Sequence, residues 1–205
     1  MRKNLMLVVT LIAFPALGLA EQKQGGLAIH VVCYPGLSRE TLRQASDMAE
    51  GIFRMAGLET KWLPCYASDE NEACKLSSSE AELVIRILSG LMQTPRDQNH
   101  PMGIAIPERS LAYVFYHNVE QSRLLGHDYP CSVLLAAVMA HEAAHLLGLE
   151  HSEAGIMHAK FGKKDMEDFI VGLLKFNAIQ RKQLQGAIGV RLRKNEEVTP
   201  SHKSV

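Results

Sequence analysis

The segment HEAAHLLGLEH, residues 141–151, decides which fold and which chemistry we expect of this chain. Residues four apart stack on one face of a helix, about 6 Å apart along its axis, so His141 and His145 can bind the same zinc ion. Gly148 can adopt the left-handed conformation that ends a helix and turns the chain, which lets His151 add a third ligand. The fourth position then stays open for water, as is typical of a catalytic rather than a structural zinc site.

Glu142 is predicted to act as a general base and not as a ligand. Its place beside His141 puts its carboxylate next to the metal, where it can hold the activated water and take its proton. A core helix with histidines spaced by chance is the alternative, but buried imidazoles and a carboxylate among Ala and Leu would need polar partners. One zinc ion supplies them, so the pattern predicts zinc-dependent peptide hydrolysis with His141, His145 and His151 as ligands.

These residues resemble those of the metzincin zinc peptidases. The motif is followed by Gly155, Ile156 and Met157, and Met157 corresponds to the Met-turn methionine that forms an apolar floor beneath the histidines. The resemblance is to the small bacterial matrixin- and adamalysin-like proteins in particular. It implies a secreted zinc endopeptidase whose metzincin-like domain covers residues 21–190.

The resemblance also assigns a role to the short strand that precedes the zinc helix. In these peptidases that strand is the edge of the sheet and pairs antiparallel with the substrate, which is binding by β-augmentation. The corresponding residues are Gly103, Ile104, Ala105 and Ile106. They would bind a peptide or protein substrate.

Two features depart from the family pattern. The residue two after Met157 is Ala159, so the Tyr that astacin- and serralysin-like members place there is absent. Only about six residues separate the expected mature terminus from the first strand, which leaves no room for an inhibitory propeptide. His158 is expected either to line the substrate cleft or to be a solvated or hydrogen-bonded loop histidine, and Asp165 is expected in a solvated turn.

The rest of the chain predicts an α+β fold. Apolar and β-branched runs predict strands at 27–34, 58–63, 82–88, 103–106 and 111–119, and helical spacing predicts helices at 38–57, 130–147 and 177–190. The first strand, helix and second strand have short joints and form a βαβ unit, whose strands are parallel. With the resemblance, this gives a zincin-like, twisted mixed five-stranded sheet with two long helices and a small C-terminal helical subdomain.

Both ends of the chain are expected to lie outside that domain. Arg2 and Lys3, an apolar run to Leu17 and small residues up to Ala20 predict a secretory signal peptide over residues 1–20, too short for a membrane anchor. We therefore expect an exported protein, periplasmic or extracellular, with no membrane anchor after cleavage. Residues 191–205 show no periodicity and are predicted to be a disordered tail.

The cysteines are expected to form two disulfides in an oxidising compartment. They are Cys33, Cys65, Cys74 and Cys131, and three pairings are possible. The short polar loop between Cys65 and Cys74 favours that pair, which leaves Cys33 with Cys131.

Charge excludes other classes of function. The chain of 205 residues has 22 basic and 22 acidic residues, and loss of Arg2 and Lys3 leaves a mature net charge of −2. There is no basic excess for nucleic acid and no polybasic run for an anionic membrane surface. We expect a monomer. Two alternatives to the enzyme stay open: a catalytically silent, zinc-stabilised peptide-binding module, against which Glu142 weighs, and a zinc-binding protein of metal supply.

Overall fold

The fold is built on one mixed sheet of five strands, as seen in a computed structural model that describes residues 26–34, 36–69, 74, 82–89, 101–124 and 129–198. The strands are β1 (Leu27–Cys33), β2 (Thr60–Tyr66), β3 (Leu83–Leu88), β4 (Gly103–Ile106) and β5 (Leu111–Phe115). Their order across the sheet is β2-β1-β3-β5-β4. Four strands are parallel, and only β4, at one edge, runs antiparallel to its neighbour β5. The predicted mixed five-stranded sheet is confirmed.

Five helices accompany the sheet in the described residues. They are α1 (Arg39–Met55), α2 (Tyr116–Leu124), α3 (Cys131–Leu146), α4 (Lys163–Ile170) and α5 (Ala178–Val198). The predicted βαβ unit is present, since α1 joins β1 to β2 and these two strands pair in parallel. Ser38 caps α1 by accepting a hydrogen bond from the Thr41 backbone N–H at 3.0 Å, and Gly57 leaves the helix with φ of 74°. That conformation suits glycine because no Cβ opposes it.

Helix α3 lies in the centre of the molecule. All its residues from Ser132 to Ala144 are buried, together with Leu146. It packs against α1 and against β3, β4 and β5. A helix that is apolar all round must be covered on every side. Close packing therefore restricts the polar side chains on the buried part of this helix.

Two predicted boundaries in the sheet are wrong. The strand predicted at 111–119 ends at Phe115, and α2 begins at Tyr116. The ladder partners of β5 run out there, because β3 ends opposite Phe115 and β4 ends opposite Val114. The strand predicted at 58–63 instead continues through Pro64 to Tyr66. Since β2 is an edge strand, proline can lie in it with its missing N–H on the unpaired side.

The predicted disordered tail begins too early, because α5 continues to Val198 instead of ending at Val190. Arg191 holds this part of α5 in place through hydrogen bonds to Ser110 Oγ at 2.9 Å and to the Leu146 carbonyl at 3.2 Å. The predicted signal peptide lies outside the described residues. Within the part of the chain that is described, no helix has both the length and the apolar character needed to cross a bilayer.

One of the two predicted disulfides is present in the structure and the other is not. Cys65 and Cys74 form a disulfide, with Cα atoms 5.6 Å apart. Cys33 and Cys131 do not form the second one. Cys33 is buried at the end of β1, where its thiol donates to the Tyr34 carbonyl at 3.1 Å, whereas Cys131 lies half-buried at the start of α3. Burial raises the pKa of the Cys33 thiol to about 11, so it stays protonated.

Candidate metal centre

The three histidines of the motif converge on one point. The Nε2 atoms of His141 and His145 are 3.0 Å apart, and each lies 3.2 Å from Nε2 of His151. The first two histidines lie four residues apart on α3, as predicted from the spacing. The third lies beyond the end of the helix, and Gly148, with φ of 85°, makes the turn that brings it back.

The outer ring nitrogens show that the Nε2 atoms of two of the three histidines carry lone pairs. His141 Nδ1 donates to the Ile156 carbonyl at 2.7 Å, and His145 Nδ1 donates to the Leu149 carbonyl at 2.6 Å. A carbonyl only accepts, so in these two rings the proton of the neutral form is on Nδ1. Burial lowers the pKa of His141 to about 4 and also lowers that of His145. Both rings are therefore neutral at pH 7, with lone pairs that face each other.

A cation fits this donor set. Convergent lone pairs repel unless a positive charge lies between them, and no Lys or Arg is among the described residues that line the space around the cluster. Three imidazole nitrogens bound tetrahedrally to zinc at about 2.0–2.1 Å would lie about 3.3 Å apart. The observed separations of 3.0–3.2 Å agree with that arrangement. The residues predicted as ligands thus form a site for a single zinc ion.

A tight turn that follows His151 supports the histidine cluster. The Ser152 N–H donates to the Met157 carbonyl at 2.8 Å, and the His158 N–H donates to the Gly155 carbonyl at 3.0 Å. Gly155 has φ of 81°, and a Cβ there would meet the Lys175 carbonyl oxygen at 2.7 Å, so only glycine fits. Met157 is fully buried in this turn. Because the Ile156 carbonyl accepts from His141, the turn is bonded directly to a ligand.

Glu142 lies beside the cluster in an apolar position. It is 5% exposed, and burial raises the pKa of its carboxyl group to about 8 in the metal-free protein. Its side chain lies against Gly103 of β4, where a Cβ would come within 2.6 Å of Glu142 Cγ and Cδ. The helix and the edge strand therefore hold the carboxylate between them, and the absent side chain at position 103 provides the space.

An open cavity of about 550 Å³ joins the histidine cluster to the sheet edge. Gly103, Ile104 and Ala105 line it along one side, whereas Ile106 is not among its lining residues. The three histidines and Glu142 also line it, as do Phe161 and His158. The structure thus brings the predicted ligands, the predicted base and most of the predicted edge strand to one cavity.

Two residues that were not predicted as parts of a site contact residues of this cavity: Phe161, which also lines it, and Asp165, which does not. The Phe161 ring contacts His141 edge-on, with ring centroids 5.7 Å apart. Asp165, expected in a solvated turn, accepts a hydrogen bond from His158 Nδ1 at 3.1 Å. Its side chain is only 17% exposed. No spacing rule links these positions to the motif, because the chain from Met157 to α4 is irregular and its path cannot be worked out from periodicity.

Comparison with known proteins shows the fold. The chain matches the solved structure of archaemetzincin from Methanopyrus kandleri with a TM-score of 0.56 and 16% identity, over 83% of this chain and 99% of that one. The two proteins share a fold. No known family profile matches the chain. No curated protein sequence matches it either.

Proposed function

We propose that this chain is a zinc-dependent endopeptidase. The observation that carries the proposal is the convergence of three histidine Nε2 atoms beside a buried glutamate, at the wall of a cavity that opens along a sheet edge. The fold shared with archaemetzincin is in line with the metzincin resemblance of the motif. A zinc ion held by His141, His145 and His151 would supply Lewis-acid chemistry, which polarises a carbonyl and makes water a better nucleophile at neutral pH.

Glu142 is the group that moves the proton. A peptide carbonyl carbon in the cavity gains a bond to the oxygen of water, and the proton of that water passes to the Glu142 carboxylate. The carbonyl oxygen takes up the displaced electron pair. As the carbonyl re-forms, the C–N bond breaks and Glu142 delivers the proton to the leaving amine. A carboxyl group in an apolar site suits this task, because burial raises its pKa and makes the carboxylate a stronger base.

The edge strand β4 is proposed to align the substrate. One side of β4 pairs with β5, and its other side has no strand partner in the described sheet. An extended peptide can add there through backbone hydrogen bonds, which gives affinity with little dependence on side chains. Ile104, 37% exposed, would contact the peptide directly.

We further propose that the protein is exported and acts in the periplasm or outside the cell as a monomer. The Cys65–Cys74 disulfide supports export, because structural disulfides persist in oxidising compartments. The predicted signal peptide over residues 1–20 supports the same conclusion.

The test compares the purified zinc-loaded protein with its Glu142→Gln variant on a library of quenched peptides. We expect the variant to bind one zinc ion per chain and to lose at least about 100-fold in kcat, since general acid–base catalysis contributes that much or more. Glu153→Gln, at an exposed glutamate outside the cavity, is the matched control and should cleave normally. Equal cleavage by the Glu142 variant would refute the mechanism. Stoichiometric zinc without cleavage of any peptide by the unaltered protein would favour the peptide-binding module.

A further inference from the structure

The exposed apolar side chains of the protein are concentrated in one short stretch of the chain. Among the described residues, seven large apolar side chains are more than a third exposed, and four of them lie within residues 170–179. The other three are single residues on three different elements. Single apolar side chains are ordinary on a surface, whereas a contiguous group marks an interaction site. The group consists of Ile170, Val171, Leu173 and Ile179, which are 58% to 72% exposed.

Three of these side chains belong to the turn that follows α4, and we call Ile170, Val171 and Leu173 the apolar turn. Helix α4 ends at Ile170, and Gly172, with φ of 73°, turns the chain. The next residue after the turn, Leu174, is only 3% exposed. The apolar turn is therefore attached directly to the core, while its own side chains face away from it.

The backbone of the apolar turn is satisfied within the protein. The N–H groups of residues 171–174 all donate to carbonyl groups in the last turns of α4, those of Glu167, Asp168 and Phe169, at 2.6–3.3 Å. A polar group that enters an apolar medium is costly unless it is hydrogen-bonded. This turn can thus enter such a medium without leaving an N–H unpaired. For the same reason it has no N–H donor to offer to an added peptide strand.

Three basic side chains close to the apolar turn in the chain are not neutralised. Lys175, Arg181 and Lys182 are exposed, and none of them forms an ion pair in the part of the chain that the structure describes. By contrast, the two lysines that begin α4 pair with acidic residues of the same helix, at 3.7 Å and 3.0 Å. Lys182 follows Ile179 by three residues on α5, so these two side chains lie on one face of the helix. Residues 160–182 contain six basic and three acidic residues, although the mature chain has a net charge of −2.

We propose that the apolar turn, Ile179 and these three cations form a surface that docks the protein on an anionic lipid bilayer. The apolar side chains enter the boundary between headgroups and acyl chains, while the basic side chains stay at the level of the phosphates. A second copy of the chain fits this surface less well, since a symmetric contact would bring the same cations together. The cations are separated in sequence, so no polybasic run marks the surface. The inference does not depend on the proposed peptidase function.

The first test is sedimentation of the zinc-loaded mature protein, residues 21–205, with lipid vesicles. Residues 1–20 are left out because an apolar signal peptide would itself bind lipid. Vesicles of phosphatidylcholine are compared with vesicles of equal parts phosphatidylcholine and phosphatidylglycerol. We expect at least about tenfold tighter binding to the anionic vesicles, since each cation near such a surface contributes to affinity. Equal binding to both kinds of vesicle, or binding to neither, would overturn the proposal.

The second test removes apolar side chains from the turn. The double variant Val171→Ser, Leu173→Ser should bind the anionic vesicles at least about 30-fold more weakly, because two side chains lose the gain from leaving water. Met55→Ser is the matched control, since Met55 is 52% exposed on α1. It should bind as the unaltered protein does. Zinc content and Tm should be normal in both. Unchanged vesicle affinity in the double variant would contradict the proposal.

The third test removes the cations. The triple variant Lys175→Gln, Arg181→Gln, Lys182→Gln should bind anionic vesicles about 100-fold more weakly, at about fivefold for each charge. Its affinity for neutral vesicles should not change, which a folding defect would not produce. Lys61→Gln, at an exposed lysine of β2, is the control for loss of one charge elsewhere and should lose less than about twofold. A triple variant that binds anionic vesicles normally would refute the role of these cations.

Two further measurements separate this proposal from its rivals. Sedimentation equilibrium without lipid should find a monomer, whereas a dimer that the Val171, Leu173 variant dissociates would show that a second copy covers the surface and would overturn the proposal. Cleavage of soluble quenched peptides should be equal in all these variants, because none of the altered residues lines the cavity. Loss of vesicle binding with normal cleavage supports the docking surface. Failure of the Glu142→Gln test would refute the peptidase and leave the docking surface standing.

Discussion

Gly103 is important to the candidate site because it has no side chain. The Glu142 carboxylate lies in the space that a side chain at position 103 would occupy, so strand and helix can approach closely only with glycine there. Its backbone does not have a positive φ, so the requirement is for space and not for conformation. The atoms that a Cβ would meet belong to the flexible end of a side chain. They can move, and the protein should fold with the carboxylate displaced.

We therefore expect Gly103→Ala to impair the proposed activity and leave stability nearly unchanged. A displacement of the general base by about 1 Å can cost about 100-fold in kcat. Zinc content should stay at one ion per chain, because none of the ligands moves. Gly186→Ala is the control, since its added Cβ meets no atom within 4 Å. In the middle of α5 it should raise the free energy of unfolding by up to about 1 kcal/mol. Normal kcat in Gly103→Ala would show that Glu142 is not held by this contact.

The buried carboxyl group should make the metal-free protein sensitive to pH. Burial raises the pKa of Glu142 to about 8, so the folded protein keeps a proton that the unfolded chain loses near pH 4.5. The unfolded state then binds fewer protons between these values, and stability falls as pH rises. His141, with its pKa lowered to about 4, and His145, with its pKa also lowered, have the opposite effect, mainly below about pH 6.5. Between pH 6.5 and 8 the effect of the glutamate is the larger one.

The corresponding measurement is urea unfolding of chelator-treated protein at pH 6.5 and pH 8. We expect the free energy of unfolding to be lower by about 2 kcal/mol at pH 8, since one pKa unit corresponds to about 1.4 kcal/mol. Glu142→Gln should lose most of this difference, because an amide does not titrate. The same difference in both proteins would place the titrating group elsewhere.

At the scale of elements, the C-terminal part of α5 links two other parts of the fold through hydrogen bonds. Arg191 bonds to Ser110, directly before β5, and to the Leu146 carbonyl at the end of α3. Loss of the guanidinium removes the side-chain donor that bonds to that carbonyl. We expect Arg191→Gln to lower the free energy of unfolding by about 1–3 kcal/mol in a urea titration. Arg193→Gln, at an exposed position on the same helix, should change it by less than about 0.5 kcal/mol. Equal effects would show that the Arg191 bonds do not contribute to stability.

Sequence patterns predicted the elements well wherever one period continued through a segment. Helix α1 has buried residues at helical spacing and a capping serine, so its bounds follow from local chemistry. The bounds of strand β5 do not follow from local chemistry, because the apolar run that forms the strand continues into α2 without a break. The chain changes from strand to helix where the neighbouring strands end. There the Asn118 side chain donates to the Pro101 carbonyl at 2.8 Å and holds the helix in place. Such partners are distant in sequence and leave no local pattern.

The candidate site shows the same division between local and distant partners. The spacing of the motif predicted that His141, His145 and His151 would converge, because helix geometry and one turn determine it. The Asp165 carboxylate beside His158 comes from an irregular segment, so a solvated turn was the reasonable expectation. The contact between Gly103 and Glu142 joins an edge strand to a helix nearly forty residues later. Only the packed fold shows it.

At the scale of the whole molecule, the single disulfide should stabilise the fold by lowering the conformational entropy of the unfolded chain. Cys65 and Cys74 are nine residues apart, and closing a loop of that size costs the unfolded state about 2.5 kcal/mol in conformational entropy. We expect the double variant Cys65→Ala, Cys74→Ala to lose about that much in urea unfolding while still binding one zinc ion, because neither residue lines the cavity. Cys131→Ala is the control for loss of a thiol. A double variant as stable as the unaltered protein would show that the disulfide does not constrain the unfolded chain.

The hydrogen bonds that orient His141 and His145 determine how the site tolerates mutation. His141 and His145 are oriented by the carbonyl groups of Ile156 and Leu149, not by side chains. Every amino acid has a carbonyl group, so no substitution at position 149 or 156 can delete the acceptor itself. A scan of all single substitutions should therefore find the ligands intolerant of change, while the residues that orient them accept apolar replacements that preserve the packing. The orientation of these two ligands can be lost only through the path of the main chain. Gly148 and Gly155, which set that path, are the positions where inherited variation should be most restricted.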